Sequence, residues 1–105
     1  MADTILVLIT APGDEEGARI AMTLVDERLV ACVNIVHGVR SIFSWQGKTQ
    51  DEREVLLICK STSERMPAII ARVKQLHSYA VPEIIALPIA VGSPEYLEWV
   101  ERSVK

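Results

Sequence analysis

Apolar positions fall along the chain in two alternating rhythms. Thr4-Ile5-Leu6-Val7-Leu8-Ile9 is a short unbroken apolar run rich in branched side chains and stopped by Pro12-Gly13, the pattern of a central strand buried on both faces. Asp14-Glu15-Glu16 then supplies a cap candidate and an acidic first turn. Ala18, Ala21, Met22, Val25 and Leu29 follow at helical spacing, predicting a first helix that ends near Arg28. From Ala31 to Trp45 the chain reads as extended. Its apolar parity, set by Val33 and Ile35, slips around Val36-His37-Gly38 before Val39, Phe43 and Trp45 resume it, which predicts a bend or bulge at Gly38.

Gln46-Gly47-Lys48-Thr49-Gln50 is turn material, and Glu54 to Lys60 (EVLLICK) predicts a third strand, so that Val39–Trp45 and Asp51–Lys60 form a long hairpin. Ser61-Thr62-Ser63-Glu64 fits a capping box. Met66, Ile69, Ile70, Val73 and Leu76 give the stripe of a second amphipathic helix, with Pro67 in its first turn, where a missing N–H costs least. His77 closes that helix, Pro82 blocks further winding, and Glu83 to Leu87 predicts a fourth strand. Ser93-Pro94-Glu95 opens a short last helix that turns Leu97, Val100 and Trp99 inward.

The order strand, helix, strand, strand, helix, strand, helix predicts an α+β domain over residues 1–105. Its plan is the ferredoxin-like split βαβ: an antiparallel sheet with two helices on one face, a long hairpin of strands two and three, and a short C-terminal helix. In that plan the long second strand lies at a sheet edge, where it invites pairing with another chain. A closed ring of subunits is the expected solution. Composition points the same way: 105 residues with 50% apolar content and a mean hydropathy of +0.24 exceed what so small a domain can cover by itself.

A formal net charge of −3 and no basic run argue against nucleic-acid or anionic-membrane partners. Met1-Ala2-Asp3-Thr4 carries no basic region and no stretch is long enough to span a bilayer, so a cytoplasmic location is expected. Cys32 and Cys59 fall in apolar strands without CxxC spacing and are expected as buried, reduced thiols. No GxSxG, HExxH or phosphate loop is present.

The chemistry concentrates in His77-Ser78-Tyr79-Ala80-Val81-Pro82-Glu83. His77 reads either as a cap on helix carbonyls, favoured as a cation by the dipole, or as a ligand or base. Tyr79 and Glu83 share a parity and are expected to face one pocket, with Lys60 near enough to pair with Glu83 and Trp45 supplying an aromatic wall. A hydrolase reading would use His77 as base with Tyr79 or Glu83 orienting it.

Four segments carry a resemblance: Leu29-Val30-Ala31-Cys32-Val33-Asn34-Ile35, Ser41 to Lys48 (SIFSWQGK), Glu54 to Lys60, and His77 to Ile85 followed by Tyr96-Leu97-Glu98-Trp99. In this order they resemble CutA, the divalent-cation tolerance proteins. The resemblance implies a homotrimer joined through the long hairpins, similar in assembly to nitrogen-regulatory signalling trimers, and no established catalysis. It implies a small anionic or metal ligand at Trp45, Lys60, Tyr79 and Glu83, and copper at His77. The other copper-ligand positions of some bacterial members are filled here by Ile9 and Leu76, so copper or another divalent metal is expected to be held weakly, and no cofactor is certain. A small-ligand sensor is the alternative.

Overall fold

The computed structural model describes residues 3–105; the reading made at Met1 and Ala2 lies outside the described residues. The elements are β1 (Thr4–Ala11), α1 (Asp14–Asp26), β2 (Cys32–Trp45), β3 (Lys48–Thr62), a 3-10 turn (Ser63–Arg65), α2 (Met66–Leu76), β4 (Ile84–Pro88) and α3 (Pro94–Ser103). The strands form one antiparallel sheet in the order β2-β3-β1-β4, which is the α+β plan expected.

Alternation along the two central strands divides the sheet. Ile5, Val7, Ile9 and Ala11 of β1 and Val55, Leu57 and Cys59 of β3 join Ile20 and Leu24 of α1 and Ile69 and Val73 of α2 in one buried core. The even-numbered set, Leu6, Leu8, Leu56 and Ile58, points to the other face and is only partly covered. α1 presents a different stripe from the one anticipated: Gly17, Ile20, Ala21 and Leu24 are inside, while Met22 is 66% exposed and Val25 stays outside. The cause is Gly17, where an added Cβ would come within 2.7 Å of Val55 Cγ2, so glycine lets this stripe lie close on β3.

The hairpin is longer than the expected Val39–Trp45 and Asp51–Lys60 arms: Lys48, Thr49 and Gln50, expected in the turn, are paired strand. Gln46 and Gly47, both at positive φ (51° and 77°), make a two-residue turn that matches strand twist, so pairing begins at Trp45↔Lys48. A bulge between Val36 and Val39 places one extra residue on β2 at Gly38 (φ 75°), as the parity slip predicted. β1 ends opposite Val55, so Val39–Trp45 and Lys48–Glu54 project beyond the four-stranded sheet as a two-stranded arm. The molecule measures 44 × 25 × 22 Å.

The predicted capping box does not form. Thr62 makes no side-chain cap bond, and Ser61, fully buried inside β3, gives its hydroxyl to the Leu29 carbonyl at 2.6 Å. Strand pairing with β1 holds both residues extended. In α3 only Val100 is buried; Trp99, expected inward, is exposed and tilts against Tyr96 with ring centroids 5.5 Å apart. Both cysteines are free, but only Cys59 is buried. Cys32 is half-buried because it shares the parity of the open face. Among the described residues no helix is long and apolar enough to cross a membrane.

Candidate functional site

The segment from His77 to Glu83 wraps the end of the sheet where β1 stops. Leu76 ends α2, His77 leaves it with extended backbone (φ −80°, ψ 140°), and Pro82 keeps the chain from re-entering helix before β4. The His77 side chain is wholly buried. It does not cap the carbonyls of α2. Its Nε2–H donates instead to the Thr10 carbonyl of β1 at 2.7 Å, and its Nδ1 accepts the backbone N–H of Tyr79 at 3.1 Å. Those two bonds engage both ring nitrogens.

Glu16 of α1 reinforces this corner by accepting both the N–H and the hydroxyl of Ser78 at 2.9 Å. Partial burial works against the Glu16 charge, but these two bonds, with His77 and Arg19 nearby, outweigh it and hold its pKa below the ordinary value. Tyr79 stacks obliquely on His77, ring centroids 4.7 Å apart, and donates its hydroxyl to Glu54 at 2.8 Å. Burial, then the bond to Glu54 and the nearby charges of Glu54, Glu16 and Glu52, push the Tyr79 pKa well up, so it stays a donor.

The five residues picked from sequence therefore occupy three places. His77, Tyr79 and Glu83 lie along one corner segment, but Tyr79 bonds Glu54, and Glu83 is exposed with no ion-pair partner among the described residues. The expected Lys60–Glu83 pair is absent: Lys60 Nζ donates to Asn34 Oδ1. Register explains it. Lys60 aligns with Leu6 and Leu87, whereas Ile84, next to Glu83, aligns with Ile9, so two strands and three residues separate Lys60 from Ile84, about 14 Å. Trp45 stands at the arm's tip, six residues along β3 from Glu54's register, about 20 Å.

Sequence reasoning missed Glu16 and Glu54. Glu54 had a signal: it has the parity of Leu56 and Ile58, so an acid opens an otherwise apolar face. Glu16 looked like a dipole residue and is one, but its partner lies 62 residues away, beyond any local pattern.

Copper does not fit this corner within one subunit. Ile9 is fully buried hydrocarbon, Leu76 packs against the core, and both nitrogens of His77 are engaged. Among the described residues no group of three or more His, Cys, Asp or Glu converges to hold a metal ion.

Residues 5–103 match the profile of the CutA1 divalent ion tolerance protein family. The chain belongs to that family. It is 52% identical to the divalent-cation tolerance protein CutA of Thermus thermophilus over 93% of this chain and 95% of that protein. A solved structure of the Thermus thermophilus protein superposes with a TM-score of 0.95, at 50% identity, covering 97% of this chain and 99% of that one. Protein CutA 1, chloroplastic, of Oryza sativa is 45% identical over 97% of this chain, which spans 58% of the rice protein's length. The CutA likeness covers both the helix-backed core and the projecting arm, since both lie inside residues 5–103.

Proposed function

We propose that the chain is a homotrimeric divalent-cation tolerance protein, metal-responsive and non-catalytic. The observation that carries the assembly is the uncovered apolar face of the sheet. Leu6, Leu8, Leu56 and Ile58 are only partly covered, and Ile85 and Leu87 beside them are 51% and 49% exposed. With the unpaired edge of β2 and the arm bearing Phe43 and Trp45, this surface asks for copies of the same chain. A ring offers another subunit's Trp45 to the Tyr79–Glu83 corner, and that cleft is where an anionic or metal-bound small ligand would sit, while Lys60, bonded to Asn34, lies outside it. The non-catalytic reading is supported by chemistry: His77 already donates from one nitrogen and accepts on the other, which leaves no base.

Metal is held weakly in this reading, because an ion on His77 must displace Tyr79 N–H or the Thr10 carbonyl. The free thiols support a reducing, cytoplasmic location. Two measurements test the proposal. Light scattering in dilute solution should give three times the subunit mass, and a monomer would end the assembly argument. Calorimetric titration with copper(II) and zinc should give weak binding that falls in His77→Gln; tight binding unaffected by that change would remove His77 from the metal's path.

The sensor reading is favoured by one observation, the exposed carboxylate of Glu83 beside Tyr79 with no ion-pair partner among the described residues. A thermal-shift screen with nucleotides and acidic metabolites tests it. Stabilisation lost in Glu83→Gln would support it, and no hit would leave the metal reading alone.

A further inference from the structure

α3 is attached in an unusual way for a terminal helix. Of its ten residues only Val100 is fully buried, while Leu97, Tyr96 (40% exposed) and Trp99 (39% exposed) are partly covered, so its apolar docking is modest. The attachment is mainly polar and is gathered on one arginine. Arg28, held at positive φ (59°) just past α1, donates Nε–H to the Ser103 carbonyl at 3.1 Å and a terminal N–H to the Arg102 carbonyl at 3.0 Å. Its own carbonyl accepts the Lys105 N–H at 3.0 Å, and Arg65 donates to the Lys105 carbonyl. A cation at the C-terminal end of a helix, bonded to carbonyls that have no partner within it, is a clasp.

What α3 covers is specific. Tyr96, in its first turn, places its hydroxyl 3.4 Å from the Cys32 sulfur, and the two share a hydrogen bond. That bond, followed by burial, pushes the Tyr96 pKa up to about 12. The two cysteines thus have different covers: Cys59 is locked in the core under α1 and α2, and Cys32 lies behind a helix held by one buried side chain and a clasp.

We infer that α3 is a releasable strap over the Cys32 thiol, fastened by Arg28, which opens without unfolding the domain. Elements with little buried apolar surface open at free energies below that of global unfolding. Opening α3 removes Tyr96 from Cys32 and leaves the core of Ile9, Leu57 and Cys59 intact, since none of that core is supplied by α3. The thiol becomes available to a reagent in proportion to the time the strap is open.

The test is the rate at which a maleimide adds to each cysteine of the intact chain, resolved by peptide mass spectrometry, with subunit mass followed by light scattering. In the wild type Cys32 should react slowly. Arg28→Ala should raise its rate at least about tenfold, the loss expected when charged hydrogen bonds to two carbonyls are removed. Cys59 should remain as slow as before. Tyr96→Phe should accelerate Cys32 more modestly, because it removes the hydroxyl and keeps the ring. Val100→Ala, which trims the single buried anchor, gives the same readout should Arg28→Ala fail to fold. An unchanged Cys32 rate in a folded Arg28→Ala or Val100→Ala protein overturns the inference. So does parallel acceleration of Cys59, which would mean general loosening, and so does a wild-type Cys32 that reacts as fast as a free thiol.

Discussion

One sheet carries two apolar faces of nearly the same chemistry and opposite fates. On the helix-backed side Val7, Ile9 and Leu57 are completely buried; on the other, Ile85 and Leu87 keep about half their surface. Along β1 itself Leu6 and Leu8, on the open side, alternate with Val7 and Ile9, so neither propensity nor composition distinguishes the sides. The difference lies in what the chain supplies to cover them. Two amphipathic helices close the first face, whereas α3 covers only part of the second, and the arm that runs on past β1 is largely exposed.

Perturbations on each side should separate along that line. Leu57→Ala, in the sealed core, should cost the most, about 2–5 kcal/mol of subunit stability in a denaturant titration. A comparable loss for Leu6→Ala in the same titration at low protein concentration would blur the distinction. Gly17→Ala should follow at about 1–3 kcal/mol, because the new methyl meets Val55 where α1 lies closest to β3. If it stabilises, the close approach is not what selects α1's buried stripe. Leu87→Asp should leave the subunit's helical circular dichroism unchanged while shifting the light-scattering mass downward; unchanged mass would mean that the open face is not the contact surface.

Tyr79→Phe sharpens the contrast at the corner where the two faces meet. It should cost about 1–2 kcal/mol through the orphaned Glu54 acceptor. It should also flatten the alkaline limb of the stability curve. Tyr79 is held protonated in the fold, so its contribution is complete below the unfolded tyrosine value of about 10 and is lost as pH rises beyond it. Glu16 gives the smallest and opposite effect. Its folded pKa lies below the unfolded value, so its contribution is present above ordinary carboxylate pKa values and fades as pH falls through them. Glu16→Gln should therefore lose less stability on acidification than the wild type. Identical acid limbs would show that the Ser78 bonds do not depend on the Glu16 charge.

The order and type of the four strands and three α-helices were legible, as was the bulge at Gly38, because each rests on local backbone chemistry or on the period of apolar residues; the 3-10 turn at Ser63–Arg65 and the shortness of the hairpin turn were not. The family was legible too, from four ordered segments. What the chain by itself did not determine was phase and partnership. Two stripes on α1 satisfy helical spacing, and the close contact at Gly17 chose between them. Tyr79 and Glu83 share a parity, but the chain between them is not yet strand, so parity carried no information about where Tyr79 points; Glu54 settled that. Lys60 and Glu83 are complementary in charge, yet register set them at different levels of the sheet. A sequence specifies which groups can bond, through their chemistry; only the tertiary packing fixes which are within reach, because hydrogen bonds and ion pairs weaken within a few ångströms and register is set by the whole sheet.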